Sequence, residues 1–144
     1  MKKMLGTAVM AAVLATGAWA EGLTHRVAIH VDENDPQVMN MALNNVANVT
    51  KYYESVGDTV IVELVAYGPG LNMFIADKSP VATRISAMAL EMENLSFAAC
   101  GNTLEAMTKK AGKDIALMSE ASVVPSGVVR LIELQEQDYA YVRP

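Results

Sequence analysis

Segments typical of β-strands alternate with segments typical of α-helices along this 144-residue chain. The strand-like segments are short, nearly continuous apolar runs, which is the pattern of strands buried on both faces of a parallel sheet. They are predicted at residues 24–31, 59–67, 95–100, 115–118 and 139–142. The alternation predicts an α/β fold, a three-layer α/β/α sandwich built on a mostly parallel five-stranded sheet.

The helices are predicted from the spacing of their apolar residues and from their ends. They are expected over residues 36–56, from residue 79 onward, over residues 103–110 and over residues 128–136. Asp35 and Pro36 are typical of a helix start, and Asn102 with Glu105 three residues later is typical of a capping box. Glu63 interrupts the second strand, which predicts that this strand lies near a sheet edge or a subunit contact.

Residues 1–20 carry the pattern of a signal peptide. Two lysines precede an apolar stretch rich in small residues, and Ala18-Trp19-Ala20 matches an A-x-A cleavage site. We expect cleavage after Ala20 and export to the periplasm, which leaves residues 21–144 as a single domain. An uncleaved membrane anchor is the alternative, but the apolar stretch is short for a membrane span.

The composition argues against two classes of partner. The net charge is −5, which disfavours binding to nucleic acid and to anionic membranes. The chain has no second long apolar segment, so we expect no membrane association once the signal peptide is removed. A P-loop, a G-x-G-x-x-G motif and a C-x-x-C motif are absent, and the sequence therefore gives no support to nucleotide binding or dithiol exchange.

Cys100, the only cysteine of the chain, is predicted where the third strand passes into a helix. A helix N-terminus offers free N–H groups and the positive end of the helix dipole, and both favour the reactive thiolate. We therefore expect Cys100 to have a pKa below that of a free thiol and a sulfur that is at least partly accessible. The alternative is a buried cysteine that packs as a small apolar side chain.

Four segments are predicted to meet at the carboxyl edge of the sheet, where open α/β sheets bind their ligands. They comprise residues 30–35, 67–71, 100–102 and 119–126. His30 would lie at this edge as a base for Cys100 or as a hydrogen-bonded structural histidine. The structural role is favoured because a helix N-terminus activates a thiol without a base. The acidic residues after His30 are expected to cap and solvate rather than to bind a metal.

Several stretches resemble the periplasmic branch of the DsrE/DsrF-like sulfur-relay family, which has the YchN-like fold. They are residues 30–32, 43–48, 65–71, Phe97-Ala98-Ala99-Cys100-Gly101-Asn102-Thr103-Leu104, residues 124–131 and residues 139–144, and they cover nearly all of the predicted domain. The resemblance implies an α/β/α sandwich that assembles as a homotrimer or homohexamer, with a persulfide carried on Cys100. Asp138 departs from a glycine expected there, which affects the final turn and not the site.

The candidate catalytic residue is Cys100, and the candidate ligand-binding residues are His30, Gly68, Gly70, Gly101, Asn102, Thr103 and Ser126. Gly101 would give close access to the backbone, and the N–H groups of Asn102 and Thr103 would bind an anion. No metal and no cofactor are expected.

Two functions fit these residues. The first is a periplasmic sulfur carrier or sulfurtransferase that takes a sulfane sulfur from a donor and passes it to an acceptor thiol or to sulfite. The second is a non-catalytic oligomeric module that binds a small anion or a thiol metabolite, with Cys100 only lining the pocket. The donor, the acceptor and any partner protein stay open.

Overall fold

The computed structural model describes residues 22–144. The signal peptide predicted for residues 1–20 lies outside the described residues. The strands are β1 Thr24–Val31, β2 Thr59–Ala66, β3 Leu95–Cys100, β4 Ala121–Val124 and β5 Ala140–Val142; the α-helices are α1 Pro36–Ser55, α2 Ala82–Glu91, α3 Gly101–Ala111 and α4 Gly127–Glu136; and a 3₁₀ helix spans Gly68–Phe74. Within residues 22–144, no helix combines the length and apolarity that a membrane crossing needs.

The five strands form one sheet in the order β4-β3-β2-β1-β5. Every pair of neighbouring strands is parallel. The predicted α/β class and five-stranded sheet are therefore confirmed, and helices lie on both of its faces as the sandwich requires. Because all strands run the same way, their carboxyl ends share one edge, from Val31 in β1 to Val124 in β4.

The two faces of the sheet are covered unequally. The broad face, on which α1, α2, α3 and the 3₁₀ helix pack, holds the large core, whose most buried members include Ile29, Leu43, Leu64, Phe74 and Ile85. The α4 face has a small core formed by Ala28, Val65, Ala98, Leu131 and Leu134. Hydrophobic burial therefore stabilises mainly the broad face, and the buried polar side chains of the strands lie on the α4 face.

The first helix follows its predicted pattern. Asp35 is the N-cap, and its side chain accepts a hydrogen bond from the N–H of Gln37 at 2.7 Å. Met39, Leu43 and Val46 lie on one face of α1 and are fully buried against the sheet. The cap and the apolar stripe are both local signals, which is why the sequence predicts this helix well.

The fourth strand was predicted in the wrong place. Residues 115–118 do not join the sheet; Leu117 forms an isolated antiparallel bridge with Ile75, and the N–H of Met118 donates to the carbonyl of Phe74 at 2.8 Å. Their apolar character serves packing against the segment that follows the 3₁₀ helix. The fourth strand is β4, whose edge position leaves it short and partly exposed.

The placement of Glu63 near a sheet edge is also wrong. Its strand, β2, is the central strand of the sheet. Glu63 is only 8% exposed and points to the α4 face, where the guanidinium of Arg130 donates to both carboxylate oxygens at 2.6 and 2.7 Å. A charge is tolerated in this central strand because α4 supplies its partner.

Candidate functional site

Cys100 lies at the junction of β3 and α3, where no loop separates strand from helix. It is the N-cap residue of α3, and Gly101 is the first residue of the helix. The predicted cap, Asn102, therefore lies inside the helix, where its N–H donates to the carbonyl of Pro125 at 3.2 Å and also lies near the Cys100 sulfur. A Cβ at Gly101 would lie 2.9 Å from the carbonyl oxygen of Val124, so glycine allows the first turn of α3 to pack against the end of β4.

Hydrogen-bond donors from two helices surround the Cys100 thiol. Burial raises the pKa of this thiol, but the Thr103 hydroxyl and the N–H groups of Gly127, Thr103 and Asn102 lower it by more, so that the pKa lies below its ordinary value. The neutral thiol makes no ordinary capping hydrogen bond. The donors therefore act mainly on the thiolate, which accepts hydrogen bonds far better than a thiol.

Cys100 is less accessible than the sequence suggested. Its exposed fraction is 4%, so the expectation of a partly accessible sulfur is wrong. The start of α4 covers it, since a Cβ at Gly127 would lie only 3.1 Å from the Cys100 Cβ. Burial keeps water from the thiolate and strengthens its interaction with the surrounding dipoles.

Thr103 links two predicted site residues. Its hydroxyl oxygen accepts a hydrogen bond from the N–H of Gly68 at 2.9 Å. The hydroxyl proton is then free to point at the Cys100 sulfur. Gly68 has a φ of +53°, a conformation that glycine adopts at little cost. The 3₁₀ helix and α3 are thereby joined next to the thiol.

Gly127 is the site residue that sequence analysis missed. A Cβ there would lie 2.9 Å from the Tyr67 Cβ, so only glycine brings the first N–H of α4 this close to the Cys100 sulfur. The predicted residue, Ser126, is the N-cap of α4, but its side chain makes no capping hydrogen bond. Ser126 lines a separate cavity of about 230 Å³ with Val129 and other residues. The sequence signal that could have identified Gly127 is its position directly after Pro125 and Ser126, at the start of a helix.

The ion pair of Glu63 and Arg130 anchors α4 near the site. The N–H of Arg130 donates to the carbonyl of Ser126 at 2.9 Å, so Arg130 belongs to the first turn after the cap. The side chains of the pair are 10% and 28% exposed. The hydrogen bonds that Arg130 donates to the Glu63 carboxylate raise the pKa of Arg130, which keeps the guanidinium charged. The ion pair thus holds the start of α4 over the central strand, since Arg130 lies three residues after Gly127.

His30 lies on the same face of the sheet as Cys100 but does not contact it. One strand, β2, separates their strands, which corresponds to about 10 Å across the sheet. A hydrogen bond of 2.7 Å joins His30 Nδ1 to the Tyr141 hydroxyl, and the ring lies against that of Tyr67 at a centroid distance of 4.5 Å. Nε2 has no hydrogen-bond partner among the described residues.

The imidazole of His30 is held neutral. Burial lowers its pKa; Asp32 raises the pKa and Arg143 lowers it, and the net effect places it below the ordinary value. A neutral imidazole that is separated from Cys100 by the strand β2 neither deprotonates the thiol nor supplies a positive charge beside its thiolate. The geometry agrees with a structural His30, whose hydrogen bond to Tyr141 links β1 to β5.

The remaining predicted residue, Gly70, has a packing role. A Cβ there would lie 2.2 Å from the carbonyl oxygen of Val31, so glycine lets the 3₁₀ helix pass directly over the end of β1. The acidic residues after His30 face Arg143, which donates to Asp32 at 3.0 Å and to Glu33 at 3.1 Å. Within residues 22–144, no three His, Cys, Asp or Glu side chains gather as a metal site would need.

Comparison with known proteins identifies relatives but no activity. No protein-family model matches the chain, and no curated protein matches it. A solved structure, that of the protein of unknown function MTH1491 from Methanobacterium thermoautotrophicum, is similar: it is 33% identical with a TM-score of 0.71, and the match covers 83% of this chain and 99% of that chain. With this identity over nearly all of the second chain, the protein belongs to the same family as MTH1491.

Proposed function

We propose that this protein is a sulfur carrier of the DsrE/DsrF-like sulfur-relay type, in which Cys100 carries a persulfide. One observation carries the proposal: donors from the N-termini of two different helices point at one thiol and lower its pKa. A cysteine that only fills space needs no such donors, because an apolar environment suits a neutral thiol. Donors arranged around a sulfur suit a nucleophile that acts as thiolate.

The chemistry follows from a thiolate at this position. The Cys100 thiolate attacks the outer sulfur of a donor persulfide R–S–SH; a new S–S bond forms at Cys100, the S–S bond of the donor breaks, and the donor leaves as RS⁻, which takes up a proton. An acceptor thiolate or sulfite then attacks the outer sulfur on Cys100, and Cys100 is released as thiolate. No net oxidation or reduction occurs in either step.

The donors around Cys100 assist both steps. The N–H groups of Gly127, Thr103 and Asn102 stabilise the negative charge on Cys100 when it attacks as the thiolate. They also hold the charge when Cys100 becomes the leaving group in the second step. His30 is outside this set, so its neutral ring takes no part in the transfer.

Intact-mass analysis tests the proposal. After incubation with inorganic polysulfide, we expect the wild-type protein to gain about 32 Da for each sulfur added and to lose it when a thiol such as dithiothreitol is added. The Cys100→Ser variant should gain nothing. A folded wild-type protein that gains no sulfur would contradict the proposal.

A pair of variants at Thr103 tests the role of the donors. Thr103→Val removes the hydroxyl and keeps the shape of the side chain, so it should raise the pKa of Cys100 and slow its loading with sulfur by roughly tenfold, the loss of one hydrogen bond to a charged group. Thr103→Ser keeps the hydroxyl and should load almost as wild type. Equal loading of the two variants would show that the hydroxyl does not matter.

The binding module stays as the second candidate because Cys100 is only 4% exposed. A thiol this buried also fits a pocket that holds a small anion or a thiol metabolite without reacting. The same mass experiment separates the two functions, since a binding module gains no sulfur. In that case, binding of thiosulfate or of a small thiol should persist in Cys100→Ser.

We also propose that the carrier assembles as a homotrimer or homohexamer and acts in the periplasm. The outer side of α4 supports assembly, since Val128, Val129 and Ile132 are 52%, 48% and 50% exposed. A cluster of exposed apolar side chains on one helix is typical of a subunit contact. Light scattering should give a mass of three or six subunits, and Ile132→Glu should lower it. The prediction of export depends on residues 1–20 alone.

A further inference from the structure

A groove runs along α3 from the site, and the transfer chemistry above does not use it. Its volume is about 570 Å³, within the range of small-molecule sites. It is lined by Gly68, Pro69, Asn72, Asn102, Thr103, Ala106, Met107 and Lys110. Asn102 and Thr103, at one end, are the residues whose N–H groups face the Cys100 sulfur. The groove therefore begins at the first turn of α3, whose N–H groups face the thiol, while Cys100 itself does not line it.

One face of α3 forms a wall of this groove. Thr103, Ala106, Met107 and Lys110 are spaced by three and four residues, so they lie along a single stripe of the helix. From Thr103 to Lys110 the helix rises by about 10 Å. A molecule lying along the stripe would meet a polar end at Thr103, an apolar middle, and an ammonium at the far end.

The far end of the groove is positive in an otherwise acidic chain. A second cavity of about 330 Å³ adjoins the groove through Asn72, Met107 and Lys110, and Lys78 also lines it. Every charged side chain that lines the two cavities is a lysine, although the chain has a net charge of −5. Among residues 22–144, neither lysine forms an ion pair. These two ammonium groups are free to bind a carboxylate.

We infer that this groove binds the carboxylate-bearing part of an organic persulfide, a small acidic thiol of about tripeptide size, and presents its outer sulfur to Cys100. An extended tripeptide spans about 10 Å, which matches the distance from Thr103 to Lys110 along α3. The substrate class named here depends on the proposed sulfur-carrier function. The groove itself is a binding site that can be tested without any sulfur transfer.

The kinetic test uses glutathione persulfide as the acidic substrate and inorganic hydrogen disulfide as a substrate without carboxylates. Lys110→Glu should raise the half-saturating concentration of glutathione persulfide by about three- to tenfold, since an attraction becomes a repulsion. It should leave loading by inorganic disulfide within twofold. Lys109→Glu is the matched control: it makes the same charge change on the neighbouring residue, which does not line the groove.

A binding test separates failure of this inference from failure of the proposed function. Calorimetry with S-methylglutathione, which cannot transfer sulfur, should show binding to wild type and to Lys109→Glu and weaker binding to Lys110→Glu. Suppose that Cys100 accepts sulfur from both persulfides, but Lys110→Glu changes neither the half-saturating concentration of glutathione persulfide nor the affinity for S-methylglutathione. The groove assignment is then wrong. If no sulfur is ever loaded but S-methylglutathione binds in this pattern, the carrier function is wrong and the groove assignment holds.

Discussion

The two faces of the sheet have different compositions and different consequences. The broad face carries three α-helices and the 3₁₀ helix over a continuous apolar core, with Phe74 and Leu43 fully buried. The α4 face has one helix over a small core, together with buried polar groups at Glu63, His30 and Cys100. The comparison suggests that the broad face maintains the fold and that the thinly covered face holds the chemistry.

The difference has a physical reason. A single helix buries less apolar area than four helical segments do, so α4 depends on polar contacts for its position. Its ion pair with Glu63 and its close approach at Gly127 take the place of a wide apolar contact. The same contacts bring an N–H group to Cys100. Variants on the two faces should therefore separate stability from reactivity.

The largest expected effect is on the broad face. Phe74→Ala removes a fully buried ring that meets Phe97 edge-on at 5.7 Å. We expect the free energy of unfolding to fall by about 3–5 kcal/mol in urea denaturation. In the folded variant, alkylation of Cys100 should proceed as in wild type. A large change in the alkylation rate would mean that the faces are not separable.

Arg130→Met should have the next largest effect. It leaves the Glu63 carboxylate buried without its partner, and we expect a loss of about 3 kcal/mol, the lower end of the range for a broken buried ion pair. The pKa of Cys100 should also rise, since α4 is released and the Gly127 N–H moves away from the sulfur. Arg143→Met breaks only exposed contacts with Asp32 and Glu33 and is the control. Similar stability losses in the two variants would contradict the anchoring role of Arg130.

Gly127→Ala is expected to act mainly on the thiol. The new methyl group would lie 2.9 Å from the Tyr67 Cβ and 3.1 Å from the Cys100 Cβ, so α4 has to move away. We expect an overpacking cost of about 1–3 kcal/mol and a higher Cys100 pKa. Val128→Ala, at the next position on α4, should leave that pKa unchanged. An unchanged Cys100 pKa in a folded Gly127→Ala variant would show that the N–H of Gly127 does not act on the thiol.

The smallest effect concerns His30 and pH. Because its folded-state pKa lies below the unfolded value, the unfolded chain binds more protons in acid. The contribution of neutral His30 is full above about pH 6.5 and is lost as the pH falls from there toward the folded-state pKa. His30→Gln should lose less stability than wild type between pH 7 and pH 5. Its Cys100 alkylation should stay within twofold of wild type; a tenfold slower rate would make His30 part of the mechanism.

The sequence predicts the alternating fold and the place of Cys100 because both depend on local patterns. Apolar runs identify β1, β2 and β3, and Asp35 identifies the start of α1. The edge strand β4 is missed because Ser122 and Val123 are exposed there and give no continuous apolar run. Residues 115–118 mislead because their apolar side chains pack beside the sheet and not within it.

The parts of the site that escape prediction depend on contacts between distant segments. Gly127 approaches Tyr67 across 60 positions of sequence, and no local rule reports that distance. The capping rule places the start of α3 at Asn102, but Gly101 packs so tightly on β4 that the helix begins directly after Cys100. Glu63 suggests an edge only while its partner Arg130 is unknown. These are tertiary effects, which override local propensity.

The central claim is that two helix N-termini make Cys100 a stabilised thiolate. It is tested most directly by the pH dependence of iodoacetamide alkylation, followed by intact mass on the native protein, with the urea-denatured protein as reference. The account predicts a native midpoint clearly below that of the denatured protein, which should titrate near the free-thiol value of about 8.5. A native midpoint at or above the denatured value would contradict it.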